Sequence, residues 1–209
     1  MIVYGSILSG DIMKTPLDEI FREHGGQLRM SEAIALGSTR YMLYSMRDKG
    51  IIEQVTRGVY RLAELPSLSD PDLVTVGLRC PNAVICLVSA LSYHAITTQI
   101  PHEVYIAVTR DSRIPVLDHP PIRVFRFSVA SFMAGIEEHR VDGVRIRVFS
   151  PEKTLADCFK YRNKIGMDVV LEALKLSMAR KKLDIAKLLA YARICRVEKV
   201  MRPYLEAMV

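Results

Sequence analysis

No apolar run in this chain is long enough to cross a bilayer. The longest, about Ala83 to Ile96, contains Ser89, Ser92, Tyr93 and His94, whereas a spanning helix needs roughly 20 consecutive apolar residues. It is predicted instead as a buried helix. The stretch Met1 to Leu8 is apolar but lacks a basic segment and a small-residue cleavage motif. No signal peptide is therefore expected, and the expected compartment is the cytoplasm. The four cysteines, Cys80, Cys86, Cys158 and Cys195, form no C-x-x-C pair and have no histidine at a zinc-like spacing. Reduced thiols in a core are predicted, with no metal and no cofactor. Internal repeats and low-complexity segments are absent from the sequence as well.

Catalytic motifs are also missing. There is no P-loop, no G-x-S-x-G elbow and no H-E-x-x-H pair. Gly5-Ser6 and Asp11 look superficially like the start of a nucleotidyltransferase site, but the second acid that would hold magnesium is not there. Pro101-His102-Glu103 and Glu137-Glu138-His139 are local acid–histidine clusters. Acid–base chemistry is open to them, but exposed loop polarity is the simpler reading. No catalytic residue is assigned, and an enzyme is not expected.

What is present fits a globular protein of two modest domains: 209 residues, 50% hydrophobic and 25% charged. The net charge of +6 is unevenly spread. Residues 1–65 are neutral and residues 66–139 carry −2, while residues 140–199 carry +8. A basic excess of that size suits a polyanion or an acidic protein partner, and equally a solvated helical surface. The stretch Leu65 to Pro71, with two prolines and two serines, breaks the periodicity on both sides and marks a boundary. The predicted division is an extension over residues 1–14, a first domain over residues 15–65 and a second over residues 66–209.

The first domain has a definite order. Thr15-Pro16-Leu17-Asp18-Glu19 is a helix start, with a capping hydroxyl, a proline suited to the first turn and two acids favoured by the helix dipole. Leu17, Ile20 and Phe21 form its apolar face, and Gly25-Gly26 ends it. A short helix from about Ser31 to Leu36, a turn at Gly37 and a third helix from about Thr39 to Lys49 follow. Two β-rich runs, Ile51 to Val55 and Val59 to Leu62, are joined by Thr56-Arg57-Gly58 as a hairpin. Three helices and a hairpin make a winged helix-turn-helix. The fold class predicted for the whole chain is α+β: this module followed by a mixed α/β C-terminal domain.

The third helix must bury one face and offer the other to a DNA major groove. Met42 or Leu43, with Met46, fit the buried face. Arg40 is the candidate for a guanine edge, because its fork matches N7 and O6. Thr39, Tyr41, Tyr44, Ser45 and Arg47 share the outer face and flanks, Lys49 suits the backbone, and Arg57 sits at the wing tip, near a minor groove or phosphate. From Ser38 to Arg61 five cations (Arg40, Arg47, Lys49, Arg57, Arg61) face Asp48 and Glu53. That local excess favours DNA over a role in protein contacts alone.

The run GSTRYMLYSMRDKGIIEQVTRGVYRL, residues 37–62, resembles the N-terminal domain of AbiEi-type antitoxins. Gly50, the pair Ile51-Ile52 and the wing Arg57-Gly58-Val59-Tyr60 carry the match. SPEKTLADCFKYRNKIG, residues 150–166, looks like the most recognisable stretch of their C-terminal domain, and PNAVICLVSALSYHAIT, residues 81–97, is similar to a helix between the two. The resemblance implies a repressor of its own operon; on double-stranded DNA an inverted repeat bound by a dimer or by paired monomers is expected, since symmetric half-sites raise specificity. It also implies an antitoxin, with a role in phage defence, that counteracts a nucleotidyltransferase-type toxin of the AbiEii class. The segment Met1 to Lys14 is longer than the resemblance implies before the first helix.

In the second domain Ser69-Asp70-Pro71-Asp72 starts a helix, and about Asn82 to Ala95 is an apolar helix. Strands are predicted at Val104 to Val108, Arg123 to Phe127 and Val144 to Phe149. Alternation would bury one face of these strands and present Arg123 and, separately, Arg145 and Arg147. Ser150-Pro151-Glu152 caps a further helix. Leu155, Cys158, Phe159 and Arg162 share one of its sides, and Lys153, Asp157, Lys160 and Lys164 another. Asp157 is expected to form an exposed pair with Lys153 or Lys160, contributing about 0.5 kcal/mol or less. Arg145, Arg147, Lys153, Lys160 and Lys164 are the candidates for a basic face that meets a partner or phosphate. Val169, Val170, Ala173 and Leu174, then Ile185, Leu188, Leu189 and Ala192, are predicted core, with Arg180-Lys181-Lys182 as a connecting loop. Two other functions remain open: a protein-interaction module that neutralises a toxin by direct contact without binding DNA, and a hydrolase or transferase that uses the acid–histidine clusters.

Overall fold

In the computed structural model, residues 16–180 and 183–208 are described. The expectations for residues 1–14, the Thr15 cap, Gly5-Ser6, Asp11, Lys181 and Lys182 lie outside them. The chain divides into two compact units, Met1–Ser67 and Leu68–Val209.

The first unit begins with α1 (Pro16–Glu23), whose Leu17 and Phe21 are buried. Strand β1 (Gln27–Arg29), α2 (Met30–Ala35) and α3 (Arg40–Asp48) follow, then β2 (Ile52–Thr56) and β3 (Val59–Leu62). The Glu32 carboxylate accepts from the Arg29 N–H at 2.9 Å and closes the start of α2. Thr39 caps α3, its hydroxyl oxygen accepting from the Met42 N–H at 3.2 Å. The hairpin pairs Ile52 with Leu62 and Glu53 with Arg61, with an irregularity between Gln54 and Thr56. Strand β1 is an addition to the predicted elements. It pairs antiparallel with β3, so the sheet order is β1-β3-β2. Leu17, Phe21, Leu28, Leu43, Met46, Ile52, Tyr60 and Leu62 form one core under the three helices. The winged helix-turn-helix plan is thus present, and the whole chain is α+β as predicted.

The second unit is a five-stranded mixed sheet between two helical layers. Its strands are β4 (Val84–Ile85), β5 (Val104–Thr109), β6 (Ile122–Phe127), β7 (Ile136–Val141) and β8 (Val144–Phe149), in the order β6-β5-β4-β8-β7. Pairs β5–β6 and β4–β8 are parallel; β4–β5 and β7–β8 are antiparallel. Helix α4 (Pro71–Arg79), capped by Asp70, covers one face over Ile85, Ile106, Val144, Ile146 and Val148. Gly77 lets α4 come close, since an added Cβ would lie 2.8 Å from Ile146 and 3.0 Å from the Arg145 carbonyl. The other face carries α5 (Leu87–Tyr93), α6 (Val129–Met133), α7 (Pro151–Lys160), α8 (Arg162–Ile165), α9 (Met167–Ala179), α10 (Ile185–Cys195) and α11 (Glu198–Glu206). Their core joins Leu91, Phe127, Phe149, Leu155, Phe159, Val170, Leu174, Leu188, Ala192 and Met201.

Three expectations need correction. The apolar stretch from Asn82 to Ala95 is not one helix: it opens as β4, turns at Cys86 and only then becomes α5. Both parts are buried, and an unbroken apolar run has no period by which to tell strand from helix. Glu137-Glu138-His139 is not a loop but the middle of β7, an edge strand paired in register with β8. Ile185, expected in the core, is 36% exposed, whereas Leu188 and Ala192 are buried. The four cysteines are free and buried, as the sequence implied.

Candidate nucleic-acid interface

Helix α3 has an inner and an outer side. Successive residues turn by about 100°, so Leu43 and Met46, both buried, define the inner direction. Tyr41, Tyr44, Ser45 and Asp48 then point outward, Arg40 and Arg47 lie on one flank, and Met42 and Lys49 lie on the other. Tyr41 is 80% exposed; Arg40, Tyr44, Arg47 and Lys49 are exposed, and Ser45 is half-buried. Tyr41, Tyr44 and Ser45 therefore share the outward surface, with Arg40 and Arg47 on one of its flanks and Lys49 on the other. Thr39 belongs to the helix end instead, where its hydroxyl oxygen is engaged by the Met42 N–H. Arg57 is exposed at the hairpin tip.

Two arginines in this unit differ from a simple count of cations. Arg61 is 5% exposed, ion-paired with Glu53 at 3.1 Å and bonded to the Pro66 carbonyl. It holds the hairpin to the boundary segment and presents no charge outward. Because Glu53 is consumed with it, the local excess of cations stays positive. Arg47 donates from Nε (3.1 Å) and Nη2 (2.8 Å) to Asp48 Oδ1, with its guanidinium carbon 5.2 Å from the Tyr44 ring centre. The hydrogen bond and the charge of Asp48 raise the already high pKa of Arg47. Asp48 is not among the predicted residues, although the helical period alone places it outward.

The basic candidates of the second unit do not form one face. Lys153 is wholly buried. Its ammonium bonds Asp157 one turn along α7 and lies 4.3 Å from the Phe149 ring centre and 5.0 Å from that of Phe127. This corrects its assignment to a solvent face: α7 is packed against α5, α9, α10 and α11 and has no free side there. Arg145 is exposed and pairs with Glu138 at 2.8 Å. Arg147 is half-buried, donating to the Asn82 carbonyl at 3.1 Å and stacking over Phe132. Lys160 and Lys164 stand beside the Tyr161 ring at 6.0 and 5.8 Å, near Arg123, which lies over Tyr105 and Phe125. Burial pushes the Tyr161 phenol up to about 12, so its hydroxyl stays a donor, to the Arg126 carbonyl at 3.2 Å.

The acid–histidine clusters do not converge. Glu137 and His139 approach at 3.3 Å on β7. Glu103 instead meets Arg123 at 3.5 Å beside β5, and β4 and β8 separate those strands. Among the described residues no group of three or more His, Cys, Asp or Glu is placed to hold a metal ion, and no helix is long and apolar enough to cross a membrane.

Residues 16–63 match the model of a family described as "Transcriptional regulator, AbiEi antitoxin". The match spans the first unit from α1 to the end of the wing and agrees with the resemblance read from residues 37–62. The fold is similar to that of a solved structure, "Crystal structure of RV2827C protein from Mycobacterium tuberculosis", with a TM-score of 0.56 and 14% identity over 84% of this chain and 69% of that one. At that identity the likeness concerns the fold. No curated protein matches the chain.

Proposed function

We propose that this chain, whose residues 16–63 match the AbiEi antitoxin family of transcriptional regulators, is a DNA-binding repressor of its own operon and an antitoxin to a nucleotidyltransferase-type toxin. The observation that carries the DNA-binding part is α3: its apolar residues face inward, while Arg40, Tyr41, Tyr44 and Arg47 stand clear of the core with Lys49 and the wing residue Arg57 nearby. A helix held this way fits a major groove while the wing meets the adjoining backbone. The operator is an inverted repeat bound by a dimer or by paired monomers, because two half-sites multiply the specificity of one. The second unit, from about residue 66, carries the antitoxin role, with the exposed Lys164 and Arg145 and the half-buried Lys160 as cations for the partner. The protein acts in the cytoplasm, without a cofactor and without catalysis.

A second function is favoured by one observation. Ile34, Leu36, Met42 and Tyr41, all on α2, α3 and the turn between them, are exposed large apolar side chains, which suit a protein surface as well as a groove. A mobility shift with the DNA upstream of the gene, alongside co-expression with a neighbouring nucleotidyltransferase, separates the two. A salt-sensitive shift with rescue of growth supports the regulator and antitoxin. Rescue without any shift supports the protein-interaction module, and neither result sinks both.

A further inference from the structure

Asp48 is the only acid in α3, and it lies near the centre of the outward side. An acid there opposes phosphate, so a helix selected only for charge would not carry it. Stability does not account for it either: Arg47 and Asp48 are adjacent residues with side chains 41% and 66% exposed, and such pairs add little to folding. What the pair does is fix a guanidinium in place. Tyr44 lies beneath it at 5.2 Å, and Asp48 Oδ1 takes the N–H groups on Nε and Nη2. A guanidinium has five N–H donors in a rigid fork. Its unused end, Nη1 with the remaining Nη2 hydrogen, is therefore held in one orientation. Asp48 Oδ2 accepts no hydrogen bond among the described residues and stays available.

Two donors beside one acceptor match one base pair. In the major groove guanine offers the acceptors N7 and O6, and its paired cytosine offers the N4 amino donor next to them. Resting on the reading of α3 as a recognition helix, we propose that Arg47 and Asp48 form a composite head that reads a single G·C pair. The free end of the Arg47 fork donates to guanine N7 and O6, and Asp48 Oδ2 accepts from cytosine N4. An A·T pair in the same place keeps an acceptor at adenine N7, but it sets the adenine amino group against the fork and the thymine O4 against the carboxylate, so the contacts made to guanine O6 and cytosine N4 turn repulsive. Asp48 thereby lowers affinity for phosphate while sharpening the choice of base.

The test presents the full chain, and its R47K and D48A variants, with a random duplex library. Binding is then measured on the enriched duplex and on copies with single pairs exchanged. The wild type should enrich a sequence with one G·C pair whose exchange for A·T weakens binding on the order of tenfold. In R47K and D48A that penalty should fall to about twofold or less with the other positions unchanged, and D48A should hold random duplex more tightly. R47K keeps the charge but loses the fork, so a charge effect alone would leave its preferences intact. Enrichment by both variants of the wild-type sequence at every position overturns the composite head and leaves DNA binding standing. If the wild type enriches nothing, the regulator function falls and the head with it. Both side chains are exposed, so unchanged circular dichroism confirms that the variants fold.

Discussion

Lys153 and Asp157 form an ion pair one turn apart on α7, with neither side chain reaching solvent. Around them are the rings of Phe127 and Phe149, and Cys195, whose thiol donates to the second carboxylate oxygen at 3.1 Å. Gly135 packs so closely that an added Cβ would fall 2.6 Å from the Lys153 Cβ. Burial raises the Asp157 pKa, and the adjacent ammonium pulls it back. Each charge is tolerable there only because the other is present. Removing one partner, as in Asp157→Ala or Lys153→Met, should cost about 3–5 kcal/mol of stability. The double variant Lys153→Met/Asp157→Leu should recover most of that loss. Urea titrations of the three proteins check this, and a double variant as unstable as the sum of the singles would refute it.

The three wing and helix arginines should separate into two kinds. Arg40→Ala and Arg57→Ala should weaken duplex binding and flatten its salt dependence, by about 0.9 in logarithmic slope for each phosphate no longer neutralised. Arg61→Ala should do the reverse first: it removes a buried partner of Glu53 and of the Pro66 carbonyl and should lower stability by about 1–3 kcal/mol. Melting curves beside anisotropy titrations distinguish them.

His94 donates from Nε2 to the Phe149 carbonyl at 2.8 Å, and its neighbours include Glu137, Glu152 and His139. Burial lowers its pKa below the ordinary 6.5, with the carbonyl and the two glutamates opposing. A folded value below the unfolded one means that the unfolded chain takes up the proton first. Its contribution is complete above the unfolded value and is lost as pH falls toward the folded one. The wild type should therefore lose more stability between about pH 7.5 and about pH 5.5 than His94→Gln does. Equal losses in denaturant midpoints would show that His94 is not the group responsible.

Gly77 offers a test of sign. In the middle of an exposed helix, glycine to alanine stabilises by about 0.5–1 kcal/mol. On α4 the added methyl meets Ile146 at 2.8 Å and the Arg145 carbonyl at 3.0 Å. The carbonyl belongs to a central strand and cannot swing aside, so Gly77→Ala should destabilise by about 1–3 kcal/mol. A gain in melting temperature would mean that α4 slides off β8 at little cost.

The first unit is legible because its signals are local. Acids in the first turn, paired glycines and an Arg-Gly turn between β-rich runs each mark an element by themselves. Strand β1 escapes because three residues, Gln27 to Arg29, are a strand only through pairing with Val59 to Arg61. Strand β7 carries a usable signal: Asp142-Gly143, flanked by Val141 and Val144, is a hairpin dipeptide. Its polar residues hide it, since an edge strand needs little apolar content. Lys153 is out of reach for another reason. Spacing of i, i+4 describes an exposed pair and a buried pair equally well, and only the layer of α9, α10 and α11 over α7 decides between them. On α3 the period alone points to Asp48, which a count of cations passes over because its charge has the opposite sign.

Strand β7 leaves the five-stranded sheet open along one border, where unpaired peptide groups invite further strands. Between Ile136 and Val141 at its ends, that border carries Glu137, Glu138, His139 and Arg140, and this polar middle offers no flat apolar surface on which a foreign strand could settle. A second molecule docking its own strand there would have to strip water from these charged groups, and in parallel register it would set like charges against one another. The fold can therefore leave this border unclosed and still resist growth into fibrils, with charged residues doing what a barrel does by closing.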